Sequence, residues 1–244
     1  MVLPLVSHLY SPESFGIFSL MVAITSICLI VCCLRYEQII VQQKNVRVVF
    51  GLFYVLVSTI LIVSVLTFLT IVFLFETFFL FIPFMVFFLG INTLIDKVLN
   101  RFEEFNTMTR HRVLKPAIEN SLVVLLGLAS FENFGLQVSL IVSVISISLY
   151  LMNKLKKIHS FLPISRRLVI IGLVAMRRNI SLPKYNLPHA ITNTTVTYLP
   201  IILLPIYYEK HHLGLYAFGM KLLQAPLSVL GQSIQNVTYP FLAS

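Results

Sequence analysis

Long apolar runs alternate with short polar breaks along the whole chain. Runs at about 15–34, 48–74, 78–98, 112–130, 134–152, 187–208 and 213–233 come close to or exceed the roughly 20 residues that cross a bilayer as a helix. A shorter apolar stub, Met1–Leu9, precedes the first break. The runs lack the period-two alternation of β-barrel strands and are too long for them, so each is predicted helical. The expected fold is an all-α integral membrane bundle of about eight transmembrane helices, with Met1–Leu9 as the outer end of a partial first one.

The polar breaks sort by charge. Those at 10–15, around Glu76 and around Glu132 carry no Lys or Arg, and 208–212 carries only Lys210. The breaks between them hold Arg35, Lys44 and Arg47; then Lys97, Arg101, Arg110, Arg112 and Lys115; then Lys154, Lys156, Lys157, Arg166, Arg167, Arg177, Arg178 and Lys184. Unbroken alternation of this kind places the rich breaks in the cytoplasm and the poor ones outside. The formal charge of +9 is thereby accounted for, and no nucleic-acid partner is expected. Composition agrees with the bilayer: 58% hydrophobic residues, 11% charged and a mean hydropathy of +0.92 exceed what a soluble domain buries. The stub has neither the basic start nor the small-residue cleavage site of a removable signal.

The longest break, 154–186, divides the chain into a first lobe (1–153), a basic cytoplasmic linker (154–186) and the start of a second lobe (187–244). Inside the linker lies SRRLVIIGLVAMRR, residues 165–178, whose apolar centre Leu168–Met176 is too short to span. Two readings stand. One is a helix on the cytoplasmic leaflet with its arginines at anionic headgroups; the other is an ordinary amphipathic linker. Pro183 and Pro188 in SLPKYNLP are expected to break the helix before the next span. Across the seam the pattern repeats. YSPESFGIF (10–18) and YEKHHLGLY (208–216) each place a Tyr six residues before a Gly, with an aromatic two residues after it. Gly16 and Gly214 are 198 positions apart, and six spans lie between the two hairpins. The copies therefore share an orientation and are expected to be related by a pseudo-twofold axis along the membrane normal. Each Gly would permit close backbone approach at its turn, and the aromatics suit the membrane interface.

VLPLVSHLYSPESFGIFSLMVAITSICLI followed by LRYEQIIV resembles the start of bacterial polysaccharide flippases of the O-antigen type, within the multidrug/oligosaccharidyl-lipid/polysaccharide exporter superfamily. SPESFGIF stands for the family's Pro-Glu-x-aromatic-Gly knot, and Arg35-Tyr36-Glu37 for its exit from span 2. Gly214, Tyr216, Gly219, Lys221, Ala225, Pro226 and Gly231 occupy the places of the span 8 pattern, and SLPKYNLP resembles the family's entry to span 7. His8 stands where the family often has Arg. Such proteins usually have twelve or more spans in two lobes, so the chain is expected to be incomplete.

The resemblance implies a substrate, a lipid-linked oligosaccharide on an undecaprenyl-type pyrophosphate. It also implies alternating access and a place in the bacterial inner membrane, in O-antigen, lipopolysaccharide, capsule or exopolysaccharide assembly. Further partners would be membrane lipids and polysaccharide polymerase or ligase proteins. No cofactor is expected. The chain contains no G-x-x-x-x-G-K-S/T loop for ATP, so an ion gradient or downstream consumption would supply the energy. No enzymatic constellation is apparent.

An anionic headgroup crossing a medium of low dielectric needs cationic partners in a cavity between lobes. Lys221, about 10 Å into its helix past Gly214, is the first substrate-binding candidate; the alternative is a Lys snorkelling to the outer interface. Arg35 and His8 are the others, and His8 would bring a pH-dependent charge. Glu119 and Glu37 are the ion-coupling candidates. Lys115, one turn before Glu119, and Asp96, Lys97 and Arg101 read as interface charges or local pairs. Cys28, Cys32 and Cys33 read as small buried hydrophobes, with no metal spacing. His211 and His212 lack an evident third ligand. Pro200, Pro205 and Pro226 would kink helices that rock, or merely pack as static kinks. Two other functions remain open: a cation-coupled multidrug exporter of the same superfamily, and a membrane scaffold that does not transport.

Overall fold

The computed structural model describes residues 3–74, 77–131, 134–158 and 165–224. Glu76, Glu132, Ala225, Pro226 and Gly231 lie outside the described residues. Every regular element described is helical. They are α1 (Leu3–Leu9), α2 (Pro12–Cys33), α3 (Glu37–Gln42), α4 (Val46–Leu74), α5 (Phe81–Arg101), α6 (Phe105–Leu128), α7 (Gly135–Ile158), α8 (Arg166–Arg178), α9 (Ser181–Tyr207) and the described part of α10, residues 210–224. A 3-10 turn, Thr77–Leu80, leads into α5. Of these, α2, α4, α5, α7 and α9 are long and apolar enough to cross a membrane. The chain is an all-α, multi-pass membrane protein.

The polar knot at the start of α2 is a helix start signal. Ser11 caps the helix by accepting the Ser14 N–H at 3.3 Å, Pro12 occupies the first turn, where no donor is needed, and Glu13 faces the positive end of the helix dipole. At its other end α2 stops at Leu34 and Arg35, both left-handed (φ 48 and 62°). Side chains with a Cβ adopt that region at a cost, which the buried Ile39 and Ile40 of α3 offset by packing against α4 and α5. Arg101 at the end of α5 donates to the Gln43 and Lys44 carbonyls and so ties the α3–α4 loop to α5.

α4 shows why the solvent is lipid. Its 29 residues extend about 44 Å. The half nearer the basic end buries Val49, Phe50, Leu52, Leu56 and Ile60, whereas Leu66, Leu69, Val72 and Phe73 toward the other end are bare. A contiguous apolar face of that kind is stable against hydrocarbon and not against water. α5 occupies the centre, touching α2, α3, α4, α6 and α7. Asn92 of α5 donates to the Val144 carbonyl at 3.4 Å and accepts from Ser148 at 2.9 Å, a polar tie to α7.

Two expectations change. Arg110, Arg112 and Lys115, read as loop charges, lie on α6, because that helix begins at Phe105 rather than near 112. Pro183 and Pro188 do not break a helix: α9 starts at Ser181 and runs through both. Pro183 falls in the first turn, where its missing N–H costs nothing, and Pro188 leaves one carbonyl unbonded in an otherwise continuous helix. The break comes earlier, at Asn179–Ile180, where the Asn179 side chain donates to the Ala175 carbonyl at 2.8 Å and closes α8. Residues 166–178 form a helix of their own. α8 is docked on α4, with Leu168, Gly172 and Ala175 buried.

Candidate functional site

The two repeated knots meet. A Cβ placed on Gly16 would stand 2.8 Å from the Lys210 carbonyl oxygen and 2.9 Å from the Gly214 nitrogen, and one on Gly214 would overlap the Pro12 carbonyl. Offsetting by 198 turns the pair Gly16–Lys210 into Gly214–Pro12, so the contact is its own image. A local twofold exchanging the two hairpins produces that relation. Neither glycine has a positive φ. Each is there because two helix backbones touch, inside the helices rather than at their turns. Phe15 and Phe218 close the contact edge to face at 5.6 Å.

Beneath this crossing lies a cavity of about 370 Å³, within the range of small-molecule sites. Its walls come from α2 (Phe18, Ser19, Val22), α6 (Lys115, Glu119), α7, α9 (Thr197, Tyr198) and α10 (Tyr216, Lys221, Gln224). Helices before α8 and helices after it therefore share it. The Lys221 Nζ sits 5.2 Å from the Phe15 ring centroid and 5.5 Å from that of Phe18. The two ring faces attract the ammonium, although Lys221 itself is exposed. Glu119 is near enough for its charge to act on Lys221, yet the two form no salt bridge among the described contacts. Two lysines against one carboxylate leave the described walls net positive, with hydroxyls of Ser19, Thr197, Tyr198 and Tyr216 as further partners. Ser26 of α2 and Tyr198 of α9 are hydrogen-bonded at 3.3 Å, joining the walls below.

The structure thus brings together Lys221 and Glu119 and adds Lys115. It places the other candidates elsewhere. Arg35 lies 17 residues from Phe18, about 25 Å along α2. It pairs with Glu37 at 3.8 Å, and Glu37 is buried. His8 is exposed on α1 and does not line the cavity. Neither Thr197 nor Tyr198 stands out in the sequence, since nothing local tells a lipid-facing hydroxyl from a cavity-facing one. Outside the cavity, the buried His111 of α6 contacts Asp96 of α5 at 3.0 Å. Cys32 and Cys33 are buried and Cys28 half-buried, all three free. Among the described residues no three His, Cys, Asp or Glu could hold a metal ion; His211 and His212 have ring centroids 6.0 Å apart.

Membrane-crossing helices around a polar, net cationic cavity walled by α2, α6, α7, α9 and α10 define a multi-pass membrane protein. The family model described as polysaccharide biosynthesis protein matches residues 5–244, nearly the whole chain, and the chain belongs to that family. Membership supports a role in polysaccharide biosynthesis or export. No curated protein and no solved structure gives a significant match.

Proposed function

We propose that the protein moves a lipid-linked oligosaccharide, carried on an undecaprenyl-type pyrophosphate, outward across a bacterial inner membrane. The observation that carries this reading is the cavity holding Lys115, Lys221 and Glu119 between the lobes under the Gly16–Gly214 crossing. The lysines supply charge to a diphosphate, and the hydroxyls of α2, α9 and α10 serve sugars. The lipid tail stays in the hydrocarbon. In this reading no bond in the substrate is made or broken, the role is transport rather than catalysis, and Glu119 is the group assigned to a coupling cation. Closure at the glycine crossing belongs to the state shut toward the outside, and alternating access opens it. Polymerase or ligase proteins would receive the cargo.

The test is translocation of a lipid-linked oligosaccharide in vesicles holding the purified chain. Lys221→Ala removes a charge-assisted contact of roughly 1.5–3 kcal/mol, so translocation should fall roughly 10- to 150-fold at unchanged protein level. Full translocation by that variant overturns the assignment of Lys221. Efflux of cationic drugs without glycan movement would instead favour drug export.

A further inference from the structure

α8 has two faces. Leu168, Gly172 and Ala175 recur at helical spacing and are buried against α4. The seat is backbone on backbone: a Cβ on Gly51 would stand 2.5 Å from the Leu168 carbonyl oxygen and 2.9 Å from the Gly172 nitrogen. α8 therefore belongs rigidly to the first lobe, and the chain turns away only at Asn179–Ile180. The opposite stripe is bare, with Ile170 58%, Leu173 47% and Val174 44% exposed. At its two ends stand four exposed arginines, Arg166 and Arg167, then Arg177 and Arg178. None of the four makes a salt bridge or hydrogen bond among the described residues. The sequence holds no Asp or Glu between Glu132 and Glu209 to neutralise them.

An occupant of this face must be hydrocarbon in the middle and anionic at both ends. A soluble anion fits only the ends, and an acidic protein surface does not suit the bare Ile–Leu–Val stripe. An anionic leaflet fits both, because a helix in the interface puts apolar side chains among acyl chains and arginines at phosphates. Guanidinium groups bind phosphate oxygens in a bidentate fork, which favours Arg over Lys. The Arg pairs are 11 residues apart, about 16 Å, so each serves its own headgroup.

We propose that α8 is a seat for anionic phospholipid: each arginine pair holds one headgroup phosphate, Ile170, Leu173 and Val174 lie between the acyl chains, and the first lobe is thereby clamped to the cytoplasmic leaflet. The test is native mass spectrometry of the full chain in detergent with phosphatidylglycerol, with phosphatidylcholine, or with inorganic phosphate alone. The wild-type chain should retain phosphatidylglycerol in preference to phosphatidylcholine. R166Q/R167Q and R177Q/R178Q should each lose one retained phosphatidylglycerol, with the melting midpoint in lipid-free detergent unchanged because the four side chains make no hydrogen bond or ion pair among the described residues. R166K/R167K should retain it more weakly than wild type and better than the Gln pair. Equal retention by the Gln variants, equal retention of phosphatidylcholine, or displacement of the lipid by millimolar phosphate would each overturn the proposal. A drop in the melting midpoint of a Gln pair would also count against it, since it would assign those arginines to the fold.

Discussion

The glycine crossing yields a graded prediction. A Cβ on Gly219 meets nothing within 4 Å, one on Gly16 meets backbone at 2.8 Å, and one on Gly214 overlaps the Pro12 carbonyl. Real Cβ contacts begin at about 3.0 Å. Gly16→Ala thus needs the helices to part by only a few tenths of an ångström, whereas Gly214→Ala forces a larger separation against backbone that cannot rotate away. Overpacking of this kind costs roughly 1–3 kcal/mol, which corresponds to a shift of roughly 5- to 150-fold in the ratio of closed to open crossings. Ala217, buried three residues past Gly214 and lining the cavity, is the reporter. In a chain whose three native cysteines are replaced by Ala, an Ala217→Cys variant is labelled with a membrane-impermeant maleimide from the outside. The labelling rate should rise least for Gly219→Ala, more for Gly16→Ala and most for Gly214→Ala. Gly214→Ala labelling no faster than Gly219→Ala would refute the reasoning that this contact seals the cavity.

Two further outcomes are expected. Tyr10 is buried and donates its hydroxyl to the Val123 carbonyl at 2.8 Å; Tyr10→Phe leaves that acceptor bare and should cost about 1 kcal/mol, a fall of roughly 2–4 °C in melting midpoint for a chain of this size, read by thermal unfolding in detergent. Gly172→Leu should push α8 off α4, since its Cβ would overlap the Gly51 backbone; tryptic cleavage at the arginines of α8 should then accelerate several-fold, while Leu173→Ala, on the bare face, should leave cleavage unchanged.

Much of the frame is readable in the sequence because it depends on local quantities. Helix existence follows from run length against bilayer thickness, and the Ser11-Pro12-Glu13 start follows from the donors a helix leaves open at its first turn. The basic break predicted a separate short helix, and α8 is there. The repeat of Tyr and Gly across 198 residues marked the two hairpins as copies, since a twofold relation leaves its trace in both segments. The proline in a helix's first turn was misread because proline breaks helices only where an N–H is required, and Pro183 stands where none is.

What the tertiary structure decided concerns partners far apart in the chain. The pairing of Gly16 with Gly214, of Gly51 with Gly172 and of His111 with Asp96 has no local signature, because a small or ionisable residue reads alike whatever stands opposite it. Depth along a helix was available from the sequence, and it put Lys221 and Glu119 inside the membrane. Rotation about the helix axis was not, and rotation turns Lys221, Glu119, Lys115 and Tyr198 toward one cavity while Arg35 and Glu37 pair with each other at the far end of α2. Within a bilayer, apolar contact with lipid and apolar contact with protein are nearly equal in free energy, so hydrophobicity alone fixes which segments cross and leaves backbone approach and polar contacts to choose their neighbours.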